Sequence, residues 1–234
     1  MNLKTANMNI LINRRRAAQG GSPAITYLIT EESNKPVYDA CVDNGLCGAE
    51  GMTYEEAALI TSLGSNGRAF QGNTDITHFE ELAYFGVTEI QSYAFDGCTN
   101  LTSIGIPDAV TKFNSYCFRN CALESIDIPA NVTSFGSGVF QNVSSLTNVI
   151  IPANVTSIGS NAFAGCSGLT YIKCLAVTPP TLGNSTSLGA TTYTFPIYVP
   201  DASVNDYKTA WSSIANGIAS RIYPLSEFVE PQAS

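Results

Sequence analysis

Seven cysteines and a single histidine are the side chains of this 234-residue chain best suited to catalysis or metal binding. A cysteine can be a nucleophile, a metal ligand, half of a disulfide or a small apolar filler, and its neighbours decide which. Acid–base pairs and triads need groups within hydrogen-bond reach, commonly including a histidine. His78, in "DITHFEELAYF", falls at an outward position of a strand-like segment and reads as a surface residue. Glu31-Glu32, Glu55-Glu56 and Glu80-Glu81 are adjacent pairs that fit helix starts, loops and solvated surface better than paired catalytic carboxylates. "GSNG" and "GSG" are turn chemistry, not phosphate loops. The expectation is no catalytic residue, no metal ligand set and no cofactor.

The cysteines find their explanation in an internal repeat. "VTEIQSYAFDGCTNLTSIGIP" from Val87 recurs from Val110, Val132 and Val155, at offsets of 23, 22 and 23 residues. The shared pattern is V-T-x-[IF]-x-x-x-[ACV]-F-x-x-[CV]-x-x-L-x-x-[IV]-x-[IC], usually followed by Pro. Cys98, Cys121 and Cys166 share one column, which holds Val143 in the third copy. Cys117 alternates with Ala94, Val139 and Ala162, and Cys174 with Ile106, Ile128 and Ile151. Five of the seven cysteines thus occupy apolar positions, where a free thiol acts as a small hydrophobe. Cys41 and Cys47 lie outside the repeat. They either pair in an oxidising compartment or, as preferred, pack as free thiols.

A period of about 20–29 residues with L-x-x-I-x-I at its core reads as a leucine-rich repeat. In "LTSIGI", Leu101, Ile104 and Ile106 point inward and Gly105 outward, as strand alternation requires. Val87 and Ile90 begin a second short extended stretch, and Phe95, Phe118, Phe140 and Phe163 form a stacked aromatic spine. One coil cannot bury its own apolar edge, whereas stacked coils share a continuous core. The fold expected is mainly β with short helices: a leucine-rich-repeat solenoid of about five coils with helical N- and C-terminal caps.

"IPANVTSIGSNAFAGCSGLTYI" (151–172) and "IPANVTSFGSGVF" (128–140) closely resemble the BspA-like leucine-rich repeats of surface proteins from anaerobic oral and gut bacteria. The resemblance covers roughly residues 76–200. It implies a surface-exposed, ligand-binding and often adhesive solenoid without enzymatic activity. Similar proteins often close with a "YVP" strand and an amphipathic helix, matching "PIYVPDASVNDYKTAWSSIANGIASRIYPL". They also carry an EF-hand-like turn before a "YEEAA" segment. In this chain Gly45, Cys47 and Ala49 stand where oxygen ligands are needed, so calcium binding is not expected.

Four regions follow: a tail over 1–24, a helical cap over 25–75, the solenoid over 76–200, and a helical cap with its tail over 201–234. In the N-terminal cap, "NKPVYDACVDNG" reads as a helix with Pro36 in its first turn and Asn44-Gly45 as its stop. "MTYEEAALITSLG" reads as a second, with Thr53 and Glu56 as a capping box. In the C-terminal cap, Ser203 and Asp206 resemble another such box. Val204, Tyr207, Trp211, Ile214 and Ile218 make one apolar face, and Asn216-Gly217 ends the helix.

The net charge of −8 argues against nucleic acid, which selects a basic footprint. No stretch reaches the ~18 apolar residues of a membrane-spanning helix, so membrane insertion is not expected. In "MNLKTANMNILINRRRAAQGG" the apolar run is short and the arginines follow it, the wrong order for a secretory signal. The resemblance nevertheless implies a cell-surface or secreted location. Export by another route, attachment to a larger assembly and loss of a signal all stay open. Arg14, Arg15 and Arg16 could dock the chain onto a larger surface or phage-like particle, the alternative to free adhesion.

What remains is the outward face of the strands, where repeat proteins vary and bind. Thr102, Glu124, Asp127, Asn148, Ile150, Tyr171 and Lys173 are the candidate ligand-binding residues, with Ile150 and Tyr171 as apolar anchors. The partner expected is a protein or a glycan. Thr88, Thr111, Thr133 and Thr156 form an outward row that reads as a structural threonine ladder.

Overall fold

The computed structural model describes residues 27–189, 193–215 and 217–230. The tail with its three arginines, and Asn216 of the expected helix stop, lie outside the described residues. Strand β1 (Tyr27–Ile29), helix α1 (Lys35–Asp43), strand β2 (Met52–Thr53) and helix α2 (Tyr54–Leu59) come first, with β1 and β2 antiparallel. Short strands follow in chain order: β3 (His78–Phe79), β4 (Glu89–Ile90), β5 (Ser103–Ile104), β6 (Lys112–Phe113) and β7 (Ser134–Phe135). Then come β8 (Asn148–Ile151), β9 (Ser157–Ile158), β10 (Tyr171–Cys174), β11 (Thr181–Leu182) and β12 (Ile197–Val199), helix α3 (Val204–Ser212) and β13 (Ile222–Pro224).

The helices begin where their sequences provide for it. Pro36 sits in the first turn of α1, and Gly45 follows it at φ +66°, a left-handed position that glycine tolerates. Buried Asn34 ties this helix to the coils, its Nδ2 donating to His78 O at 3.2 Å and to Glu81 Oε2 at 3.3 Å. The capping box of α2 is formed: Glu56 N–H donates to Thr53 Oγ1 at 3.1 Å, and Thr53 N–H to Glu56 Oε2 at 2.8 Å. The box expected at Ser203 is not. A 3-10 turn over Asp201–Ser203 already places Ser203 at φ −101°, ψ −2°, near-helical backbone in place of the extended geometry an N-cap side chain needs. Helix α3 also stops at Ser212, earlier than the apolar spacing indicates. Ile214 is therefore exposed, and Ile218 is buried from a separate 3-10 turn entered through Gly217 at φ +79°.

The coils stack through two parallel ladders. On the V-T-x-[IF] side, β4, β6, β7, β9 and β11 form one sheet with Ile90, Phe113, Phe135, Ile158 and Leu182 in register. On the L-x-x-I side, β3 pairs with β5, and β8, β10, β12 and β13 form a four-stranded sheet. Between them the Glu124–Asp127 segment forms no strand, in the repeat copy that is one residue short. Its backbone still bridges the two sheets, with Glu124 N–H to Thr102 O and Thr147 N–H to Glu124 O, both at 3.2 Å.

Inside, the expected spine is present and one ring longer. Phe95, Phe118, Phe140 and Phe163 stack at centroid distances of 5.6, 5.6 and 5.4 Å, and Phe70 extends the stack at 5.4 Å from Phe95. Leu101, Ile104, Ile106, Val87 and Ile90 are buried as read. On the phenylalanine side each coil turns through two left-handed positions. One column holds Tyr93, Tyr116, Gly138 and Asn161; the other holds Gly97, Asn120, Asn142 and Gly165. These turns aim alternate N–H groups at the next coil, as in Phe95 N–H to Cys117 O at 2.8 Å and Phe118 N–H to Val139 O at 3.0 Å. Tyrosine is an uncommon occupant of such backbone. Tyr93 and Tyr116 stack on each other at 5.2 Å, and a Cβ at Gly138 would collide with the Tyr116 ring.

Candidate functional site

The cysteine column does more than fill space. Cys98, Cys121 and Cys166 donate their thiols to the carbonyls of Phe70, Phe95 and Phe140 in the preceding coil, at 3.0, 3.1 and 3.0 Å. Burial pushes the Cys98 and Cys166 thiols up to about 12, so they stay protonated and un-nucleophilic at neutral pH. Cys41 and Cys47 are free thiols in contact with each other; Cys41 is buried and Cys47 half-exposed. Iodoacetamide is therefore expected to label one cysteine, Cys47, in the native protein and seven after denaturation. Mass spectrometry of the intact chain reads the count, and fast native labelling at Cys98 or Cys166 would contradict the buried column.

His78 is exposed, its Nδ1 2.9 Å from the Thr77 hydroxyl. Among the described residues, no group of three or more His, Cys, Asp or Glu is placed to hold a metal ion. No described helix is long and apolar enough to cross a membrane.

A polar cluster around Asp96 locks coils together. Arg119 holds Asp96 through two bonds, Nε to Oδ1 at 2.8 Å and NH2 to Oδ2 at 2.7 Å. Gln71 and Asn120 add bonds at 3.3 Å each, and the guanidinium lies 4.8 Å above the Tyr116 ring. Burial works to raise the Asp96 carboxyl, but the Arg119 bonds and charge outweigh it and hold it below the usual range. Because the folded value is depressed, the pair's stabilisation is present above the unfolded value of about 4 and disappears as pH falls through the folded one. Asp96→Asn is expected to cost about 2 kcal/mol at pH 7. Urea titrations of parent and variant should converge as the pH is lowered; a constant gap would contradict the ion pair.

The threonine row forms its ladder. Thr111, Thr133, Thr156 and Thr181 each donate a hydroxyl to the carbonyl of the threonine one coil earlier, at 3.1–3.3 Å. A second ladder runs along the L-x-x-I side: Thr102 to Thr77 O at 2.9 Å, Thr147 to Glu124 O at 3.2 Å and Thr170 to Thr147 O at 2.8 Å. Thr102, read as a ligand contact, is exposed but already engaged in this frame.

The remaining face candidates divide into open and covered. Glu124 and Asp127 are exposed, Asn148 is half-buried with Nδ2 3.2 Å from Thr147 Oγ1, and Ile150 is 45% exposed. Register sets Asn148 beside Tyr171 and Ile150 beside Lys173. Tyr171, however, is only 7% exposed. Its ring lies 4.9 Å from that of Phe228, which the returning C-terminal segment lays across the strands. Lys173 is covered by the same ring, its ammonium 3.4 Å from the centroid and 3.6 Å from Glu230 Oε2. At the other end, Gly105 is buried under the 3-10 helix Glu80–Tyr84, and a Cβ there would collide with Glu80 O. The face is thus roofed at both ends and open over Glu124, Asp127, Asn148 and Ile150.

Tyr198 and Tyr223 escaped the sequence reading. They continue the Ile150–Lys173 row in register across β12 and β13. Their signal is the apolar–aromatic alternation in "IYV" and "IYP", a pattern that equally fits a closing cap. A polar cleft of about 440 Å³, lined by Ser167, Thr170, Tyr193 and Thr194 among others, is formed by the segments that lead into β10 and β12.

Coils of 22–23 residues stacked around a phenylalanine spine, with one strand face open, define a leucine-rich-repeat protein. The family model described as "BspA type Leucine rich repeat region" matches residues 65–183 in six copies, and the chain belongs to that family. Phe70, the further member of the spine, lies within the matched range. No curated protein matches the chain. Among solved structures, a T. pallidum leucine-rich-repeat protein is 32% identical over 45% of this chain and 49% of its own, at a TM-score of 0.41. A Bacteroides ovatus leucine-rich-repeat protein is 22% identical over 59% and 43%, at 0.38. A leucine-rich cell surface protein from Faecalibacterium prausnitzii is 22% identical over 49% and 38%, at 0.31. The chain spans less than half the length of each of these structures.

Proposed function

We propose that the chain is a non-catalytic binding module that recognises a protein or glycan at a bacterial surface through its L-x-x-I strand face. The supporting observation is the open window between two roofs: Glu124, Asp127 and Ile150 project from a frame whose threonines and spine are fully engaged. Ile150 supplies an apolar centre and the two carboxylates a rim, the division of labour of a recognition patch. The high pKa of the buried thiols and the exposed position of the single histidine support a non-catalytic role. Family membership, and the cell-surface description of the Faecalibacterium prausnitzii protein, support the location.

The test is a screen of the purified protein against host matrix proteins and a glycan array, beside Ile150→Asp. Ile150 is 45% exposed, so the variant should fold and its binding should fall at least tenfold. Undiminished binding by Ile150→Asp would remove the window from the interface.

A further inference from the structure

The segment Phe228–Glu230 lies on the strand face as a ligand would. Among the described residues its backbone makes a single hydrogen bond, the local Phe228 N–H to Leu225 O at 3.0 Å. Its attachment to the body comes from side chains. The Phe228 ring meets Tyr198 edge-on at 5.0 Å and 82° and Tyr171 at 4.9 Å and 60°. The Lys173 ammonium sits 3.4 Å from the centre of that ring and 3.6 Å from Glu230 Oε2. Tyr223 flanks Tyr198 at 6.0 Å and is 39% exposed. An aromatic slot beside one cation therefore receives an aromatic residue followed two positions later by a carboxylate.

We infer that this slot, formed by Tyr171, Lys173 and Tyr198, is a recognition site for a partner protein's extended segment of the form aromatic-x-acidic, with the chain's own Phe228–Glu230 as its resident occupant. The inference rests on the strand face being a binding surface and specifies one subsite of it. Charge complementarity selects the partner: in a chain of net charge −8, Lys173 is a cation set on the face, and it turns toward a carboxylate. An aromatic ring under an ammonium adds cation–π attraction, so the slot discriminates against both an aliphatic and a basic replacement. The resident segment competes for the slot, which lowers the apparent affinity of a partner by the fraction of time the slot is open.

The probe is a fluorescent peptide, LSEFVEPQAS, copied from residues 225–234 and read by anisotropy against the full-length protein. Phe228→Ala in the protein empties the slot and is expected to bind the peptide at least tenfold more tightly than the parent. Glu230→Lys, a second way of loosening the segment, should move in the same direction. Adding Lys173→Glu or Tyr198→Ala to Phe228→Ala should abolish the gain, as should Phe228→Ala within the peptide. Trp211 emission and the urea midpoint verify folding. A folded Phe228→Ala protein that binds no better than the parent would overturn the inference. So would a parent that sediments as a dimer and becomes monomeric with Phe228→Ala, since the occupant would then be a second copy. Ligand capture on the array that Ile150→Asp abolishes, without peptide binding, sinks this subsite and leaves the proposed function standing. Peptide binding without any array ligand leaves this subsite standing and removes the screened matrix proteins and glycans as ligands of the Ile150 window.

Discussion

Phe118→Ala should divide the unfolding of this protein into two steps. Phe118 is fully buried in the middle of the spine, parallel to Phe95 and Phe140 at 5.6 Å each and edge-on to Phe113 at 5.4 Å. Truncation removes all three ring contacts and leaves a cavity, a loss of about 3–5 kcal/mol. In a solenoid each coil is stabilised by its neighbours, so the loss falls on the two interfaces of one coil. The backbone bond from Phe118 N–H to Val139 O survives, but it cannot replace the packing. Urea unfolding followed by far-UV circular dichroism and by emission of Trp211, the only tryptophan, should coincide in the parent and separate in the variant. The tryptophan signal, at the far end of the stack, should unfold last. A single coincident transition at the parental midpoint would show that the spine does not couple the coils.

Trp211→Ala should cost a similar amount by a different route. The indole is 1% exposed, packs edge-on to Tyr207 at 4.7 Å and donates to Pro180 O at 2.8 Å. Tyr207 in turn donates to Ala176 O at 2.6 Å and lies 3.3 Å from the Cys174 thiol. The two rings thus bring α3 onto the last coils and satisfy two buried carbonyls. Alanine removes the packing and orphans Pro180 O, for about 3–5 kcal/mol, whereas Trp211→Phe removes chiefly the hydrogen bond, for about 1 kcal/mol. Losing this helix also opens the apolar end of the stack, so Trp211→Ala should aggregate at concentrations where the parent is monodisperse. Light scattering and urea midpoints measure both effects. A stable, monodisperse Trp211→Ala protein would mean that the helix contributes little to closing the stack.

Several features were legible because they are properties of a single coil. The column occupied by Cys98, Cys121, Val143 and Cys166 reads as buried from its exchange with valine, and it is buried. The Thr88–Thr156 row was visible as a repeated β-branched hydroxyl on one face, and the hydroxyls of Thr111, Thr133 and Thr156 each find the previous coil's carbonyl. The Thr53–Glu56 box was visible because both partners lie within one turn. The Ser203 box failed within the same short range, since a 3-10 turn over Asp201–Ser203 competed for the same backbone. Phe70 was missed as a spine member because its coil departs from the V-T-x-[IF] start while keeping the aromatic position.

The amino-acid sequence by itself determined the period of this protein, the side of each coil that is buried and the ladders that join successive coils. Those follow from alternation and from residue types recurring at one spacing, and stacking repeats each decision identically. Only the tertiary structure decided which part of the outward face is free. Tyr171 and Lys173 have the pattern of exposed strand residues, yet Phe228 and Glu230 lie on them; Gly105 alternates outward, yet Glu80–Tyr84 covers it. Coverage is set by segments outside the strand pattern: the C-terminal one returns through the Phe228 and Glu230 side chains, and the 3-10 helix sets Glu80 O over Gly105. No periodicity records such contacts, because they occur once.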